Sequence, residues 1–146
     1  MTDLLALDRQ VCFAVVAASR SIVALYKPIL EPLGLTHPQY LVMLALWEYS
    51  PLRVKDLGER LLLDSATLSP LLKRLEHQGL VTRGRDTTDE RALALSLTPA
   101  GTALRRQAEQ VPGQVIDRLG LSISELESIR DSATALLSAS RAATRP

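Results

Sequence analysis

The sequence predicts a mainly α (α+β) protein: a winged helix-turn-helix with N- and C-terminal helices forming a dimerisation region. Three observations carry that expectation. Apolar residues recur at helical spacing through most of the chain. Near the middle, two such segments follow each other across a short turn, and the second has a polar outer face. Directly after Gly79 the period changes from helical to alternating, which marks two short strands.

The chain has 146 residues, enough for one domain to bury a core without disulfides or metal. Its lone cysteine cannot close an internal disulfide. With only two histidines, His37 and His77, neither a zinc site nor another cofactor is expected. No apolar run approaches the roughly 18 residues of a membrane span, and MTDLLALDRQ has neither a basic leader nor a small-residue cleavage site. The expectation is a cytoplasmic protein without membrane contact. Net charge of +1 excludes a strongly basic nucleic-acid coat but not a local patch. Residues 53–91 hold 8 basic and 7 acidic side chains, so placement must decide, not count.

From about Asp3 or Asp8 to about Tyr26 the chain reads as a helix that is apolar nearly all round, with Val11, Phe13, Val15, Val16, Ile22, Val23 and Leu25. Such a helix must be covered on every side, and in so small a domain the expected cover is a second copy of the chain. Pro28, Pro32 and Gly34 are expected to kink and end it. Thr36 is placed to cap the next helix, THPQYLVMLALWEYS, which Ser50-Pro51 breaks. In LRVKDLGERLLLD, Val54, Leu57 and Leu61 share one face. Asp64 can cap SATLSPLLKRLEHQG, whose stripe is Leu68, Leu71, Leu72 and Leu75 and whose stop is Gly79. Pro70 within that run offers an alternative start at Ser69, with the proline at the first helical position.

LVTRGR and ALALSL read as strands around a polar tip, DTTDER, with Leu93, Leu95 and Leu97 alternating along one face. Thr98-Pro99 opens a helix to about Val111. A last helix begins near SISELE, where Ser122 and Glu125 have capping-box spacing. Its stripe is Leu126, Ile129, Ala133, Leu136 and Leu137, and the tail SRAATRP is expected to fray. One domain, 1–146, results: a winged lobe at about 36–97, with dimerisation helices at about 1–35 and 98–146.

The leucines of the second helix leave Ser65, Thr67, Ser69, Lys73 and Arg74 pointing outward. Small hydroxyls near a helix N-terminus suit base edges and phosphates. Arg83, Arg85 and Arg91 stand on or beside the hairpin, where an arginine can enter a narrow minor groove. Asp89 lies two residues from Arg91 and is placed to orient its guanidinium. A polar helix face is more often simply solvated, and winged helices also dock proteins, so pattern alone leaves both readings open.

The run LTHPQYLVMLALWE, followed by LGERLLLDSATLSPLLKRLEHQGLVTRGRDTTDERALALSLTPAG, resembles the MarR family of dimeric bacterial repressors. The DER wing tip and SLTPAG after the second strand are specific to that family. CFAVVAASRSIVALYKP further resembles its organic-hydroperoxide-sensing branch, the OhrR type, in a single-cysteine form. The resemblance covers about residues 8–115. It implies a homodimer, not an enzyme, that binds an inverted-repeat operator in double-stranded DNA and releases it when organic hydroperoxide oxidises a cysteine.

The resemblance also implies that Cys12 is the sensing thiol and that Tyr26 is one of the phenols holding its thiolate. The chemistry needs a partly accessible thiolate with donors that favour its charge. Cys12 is expected within the first two or three helical turns, where the dipole has largely faded. Cys12 and Tyr26 are 14 residues apart, about 21 Å along a straight helix, so they can meet only between crossing chains. Related sensors carry tyrosines where His37 and Val16 stand; His37 can still donate to a thiolate, and Val16 cannot. Without a second cysteine, oxidised Cys12 must pass to a mixed disulfide with a small thiol, a sulfenamide or a higher oxide.

Rival readings stay open at this point. A MarR-type repressor answering to a phenolic or other small ligand would leave Cys12 incidental, a packed thiol. A thiol peroxidase would need a threonine or arginine spaced near Cys12 and a resolving cysteine, and the sequence offers neither. A protein-docking winged helix leaves Lys73, Arg74 and Arg91 unexplained. His37 has a plainer reading as a solvent-exposed residue at a helix start.

Overall fold

Regular helix begins at Val11, after a single 3-10 turn at Leu7–Arg9. The computed structural model describes residues 3–146, in two units: one ending at Val111, the other running from Pro112 to Pro146. Helix α1, Val11–Leu30, runs straight through Pro28 into a 3-10 turn at Glu31–Leu33, and Gly34, at φ 71°, ends it. Of Pro28, Pro32 and Gly34, expected together to kink and end the helix, Pro28 does not stop it and Gly34 does. The carbonyl that Pro28 leaves without an intrahelical partner belongs to Ala24, an exposed residue where water can reach it.

Thr36 caps α2, His37–Tyr49, in a reciprocal box: its hydroxyl accepts from the Gln39 amide while the Gln39 side chain accepts from the Thr36 N–H. Strand β1, Leu52–Arg53, leads into α3, Val54–Leu61; this two-residue strand was not expected from the sequence. Asp64 caps α4, Ser65–His77, by accepting from the Thr67 N–H at 2.7 Å. The alternative start at Ser69 is thus overturned. Pro70 sits mid-helix, and its orphaned acceptor is again on an exposed residue, Ala66. Leu68, Leu71, Leu72 and Leu75 anchor the helix by burial on the opposite side.

Strands β2, Val81–Arg85, and β3, Leu93–Leu97, form the hairpin, and β1 joins the other edge of β3 in the order β1-β3-β2, all antiparallel. Val81 faces Leu97 and Arg85 faces Leu93. The expected leucine face is only partly core: Leu95 is fully buried, whereas Leu93 is 51% exposed at the outer end of the wing. Around Leu95 the core of this unit gathers Leu30, Val42, Met43, Leu46, Leu57, Leu68, Leu72, Leu75 and Val81.

Helix α5, Pro99–Ala108, is tied to the winged lobe by a compact set of bonds. Thr98 caps it by accepting from the Gly101 N–H, its hydroxyl donates to the Gly79 carbonyl at 2.6 Å, and its own N–H donates to Leu80. Trp47 Nε1 donates to the Gly101 carbonyl at 2.9 Å. A Cβ at Gly101 would stand 2.1 Å from the Leu80 carbonyl oxygen, so this close approach requires glycine.

The helix expected to run to about Val111 ends at Ala108, and a further helix that was not expected, α6 (Val111–Leu119), follows with Pro112 in its first turn. In the second unit α7, Ile123–Thr144, opens with the expected Ser122/Glu125 box. It continues through most of the tail that was expected to fray. Ile129 and Leu137 of its stripe are 55% and 45% exposed.

By length and composition, Val11–Leu33 is long and apolar enough to cross a membrane, with mean hydropathy 1.5. The serines and Arg20 interrupt the run without lowering its mean below that of a span. Phe13, Val15, Val16 and Val23 are 39–45% exposed, so this helix leaves an apolar surface uncovered.

Candidate DNA-reading face and thiol site

The outward side of α4 carries Ser65, Thr67, Lys73 and Arg74, all exposed, and Ser69, which is half-buried. The leucine stripe dictates this, since residues three and four apart share a side and the remainder must face away. Lys73 and Arg74, with His77, Gln78 and Gln39, line an open concavity of about 490 Å³ at the C-terminal end of α4. Gln39 is its buried floor, donating to Gln78 Oε1 at 3.0 Å, while Gln78 donates to the Gly34 carbonyl at 2.8 Å. No carboxylate lines it, which suits a phosphate oxygen.

The arginines of the wing fall into two groups. Arg85 and Arg91 are exposed, and among the described residues neither meets a carboxylate in an ion pair. Arg83 does not stand free: it is half-buried and ion-paired with Glu76, so it pins β2 to α4. Arg83, expected among the DNA-contacting residues, has its Nε engaged by Glu76. Asp89 does not hold the Arg91 guanidinium either. Its carboxylate accepts from the Arg91 backbone N–H at 3.0 Å and shapes the turn from which that arginine projects.

Sequence reading missed three groups here. Arg53, at the end of β1, bonds to Asp86 and Thr88 beyond β2, and the Thr88 hydroxyl followed by Arg53 holds the Asp86 carboxyl below its usual range. Nothing in the local pattern signals it, since 33 residues separate Arg53 from Asp86.

Cys12 is exposed and is the second residue of α1. It therefore lies in the first turn, inside the expected range and at the end where the helix dipole and free N–H groups favour negative charge. Within the single chain nothing packs over the thiol. Cys12, Val16, Ser19, Val23 and Tyr26 recur at steps of four, three, four and three, which keeps them on one side of α1. Ser19 lies midway, seven residues from each end.

Tyr26 and His37 meet edge-on, ring centroids 5.0 Å apart, and Tyr26 lies 5.8 Å from Tyr40. All three rings are removed from full solvent, so His37 is not the water-exposed helix-start residue of the plainer reading. Burial pushes the His37 imidazole down and the Tyr26 phenol up. Burial and then the neighbouring Tyr26 push Tyr40 up. Tyr40 was missed in the sequence, although it stands one turn after His37. Cys12 has no contact with this cluster within the chain; the continuous α1 keeps them about 21 Å apart.

A capped helix pair with a polar outward face and a two-stranded wing with exposed arginines define a winged helix-turn-helix regulator of the DNA-binding class. The chain belongs to the MarR family, whose sequence profile matches residues 35–93. It is 46% identical over 134 residues to the organic hydroperoxide resistance transcriptional regulator of Bacillus subtilis, covering 92% of this chain and 89% of that protein. It is likewise 46% identical over 125 residues to the HTH-type transcriptional regulator TtmR of Methylorubrum extorquens, covering 86% of this chain but only 64% of TtmR. Among solved structures it resembles reduced AbfR bound to DNA, a Staphylococcus epidermidis protein, with TM-score 0.81, 34% identity and 95% of each chain covered.

Proposed function

We propose that the protein is a homodimeric transcriptional repressor, not an enzyme, that binds an inverted repeat in double-stranded DNA and releases it when an organic hydroperoxide oxidises Cys12. The observation that carries this reading is the α1 stripe with Cys12 at one end and Tyr26 at the other. Two antiparallel copies of α1 crossing at Ser19 bring Cys12 of one chain to Tyr26 of the partner subunit, and the same crossing covers the exposed valines. The likeness to a hydroperoxide resistance regulator supports the ligand class, and the DNA-bound AbfR structure supports the duplex.

On this reading residues 36–97 carry the DNA-reading lobe, residues 1–35 and 98–146 supply the dimerisation helices, and the protein acts in the cytoplasm. Ser65, Thr67, Ser69, Lys73 and Arg74 meet the major groove and its phosphates, and Arg85 and Arg91 work from the wing. Tyr26 and His37, both neutral and both donors, face the thiolate. The thiolate attacks the peroxide: an S–O bond forms, the O–O bond breaks, and the alcohol leaves, giving sulfenic acid once the proton is placed. A small thiol then condenses with it, releasing water and forming a mixed disulfide. Either product alters the crossing of the α1 helices and so the spacing of the two lobes.

The test is a gel-shift series on duplex DNA carrying an inverted repeat, with and without cumene hydroperoxide. Binding lost on oxidation and restored by dithiothreitol is expected. Binding insensitive to the peroxide would leave a MarR-family repressor of another kind.

A further inference from the structure

Two arginines tie the wing to the rest of its unit. Arg83 does so from within β2, through Glu76 of α4. Arg53 does so from β1, where it pairs in register with Ala94 of β3. Because β3 lies between β1 and β2, the Arg53 side chain spans the sheet to reach the loop beyond β2. Its Nε donates to Asp86 Oδ2 at 3.0 Å, and its Nη2 lies 2.8 Å from the same oxygen. Nη2 also donates to Thr88 Oγ1 at 3.1 Å, and Thr88 donates its own proton to Asp86 Oδ2 at 2.7 Å. The Asp86 N–H bonds to the Ala92 carbonyl at 2.9 Å, so this carboxylate sits at the root of the tip that carries Arg91.

We propose that Arg53 is a positioning residue for DNA recognition: through Asp86 and Thr88 it fixes where the wing tip, and with it Arg91, stands relative to α4. The proposal rests on the DNA-binding reading above. The Arg53–Asp86 pair is partly open to water, where an ion pair contributes modestly to stability, so the network's effect falls on geometry. Without it, residues 86–92 hang from the strand ladder alone, beyond the last pair, Arg85 with Leu93.

Charge alone argues the opposite sign, which makes the idea testable. Asp86 is a carboxylate on a surface meant for phosphates, so removing its charge should by electrostatics strengthen binding. If Arg53 instead touched a phosphate itself, freeing it from Asp86 would strengthen binding further. The positioning role predicts weaker binding.

The experiment uses the full-length dimer and a duplex that the wild-type protein selects from a random-sequence pool, titrated by fluorescence anisotropy at several salt concentrations. Asp86→Asn and Arg53→Ala are each expected to weaken binding about threefold. In an Arg91→Ala background both losses should nearly vanish, because the group being positioned is gone. Thr88→Val keeps every charge and should weaken binding in the same direction with an unchanged salt slope, and thermal unfolding verifies that each variant is folded. Tighter or unchanged binding by Asp86→Asn overturns the proposal, as does an Arg53→Ala loss that is equal with and without Arg91. If the wild-type protein enriches no duplex, the DNA-binding reading falls and this proposal with it; wild-type binding with a tighter Asp86→Asn overturns this proposal alone.

Discussion

His37 stands edge-on to Tyr26, with ring centroids 5.0 Å apart and ring planes at 65°. The two rings come from α2 and α1, so the contact joins the end of the thiol-bearing helix to the start of the winged lobe. Burial lowers the imidazole from 6.5 and raises the phenol from 10.0, so both are neutral at neutral pH and each keeps a proton to donate.

The burial of His37 makes folding sensitive to mild acid. The unfolded chain holds the His37 proton more tightly than the folded one. The contribution to stability is therefore full above the unfolded value of 6.5 and is lost as pH falls through the lowered folded value. Thermal unfolding between about pH 5 and pH 8 should show a midpoint that drops toward acid, with part of that slope removed in His37→Phe. Asp64 and Glu125, held below the carboxylate range by the Thr67 and Ser122 amides, lose their contributions only in stronger acid. An identical slope in His37→Phe would count against this linkage.

Cys12→Ser should keep DNA affinity but lose the response to peroxide, because serine matches the shape without the oxidisable sulfur. Tyr26→Phe should oxidise more slowly, since one donor to the thiolate is gone. The crossed-helix arrangement is tested in a heterodimer with Cys12→Ser in one chain and Tyr26→Phe in the other. Its surviving thiol should react at the wild-type rate by sulfenic-acid labelling. Reaction at the slow rate of the Tyr26→Phe homodimer would place the contact within one chain.

The exposed valines of α1 require a partner, so light scattering at micromolar concentration should give the mass of a dimer. Half-site centres on the duplex should lie about 10 base pairs apart, and inserting five base pairs between them should abolish tight binding. A monomeric mass would sink the dimer.

Arg91 projects from a turn that Asp89 shapes through the Arg91 N–H. Arg91→Ala should weaken DNA binding by about 1–3 kcal/mol while leaving the dimer intact. Unchanged affinity in a titration at fixed salt would remove Arg91 from the interface.

Gly101→Ala should destabilise the first unit by about 2 kcal/mol or more, because the new methyl would stand 2.1 Å from the Leu80 carbonyl oxygen. Denaturant unfolding measures this directly. A midpoint within error of wild type would mean that α5 can shift without cost.

The sequence by itself determined the elements whose causes are local. Thr36, Asp64 and Ser122 cap the helices they were expected to cap, because a hydroxyl or carboxylate three residues from an amide needs no distant partner. The leucine stripe of α4 likewise fixed which of its side chains face out. The resemblance to a known family pointed to Cys12 and Tyr26 before any coordinates. Only the tertiary structure decided how the prolines behave: Pro28 and Pro70 remain inside helices because the carbonyls they orphan sit on exposed residues. Only tertiary structure, too, sorted the arginines: among the described residues Arg85 and Arg91 have no ion-pair partner, while Glu76 pairs with Arg83 and Asp86 with Arg53. Propensity and periodicity act over a few residues, whereas the partner of a charge is chosen by whichever opposite charge the fold carries to it.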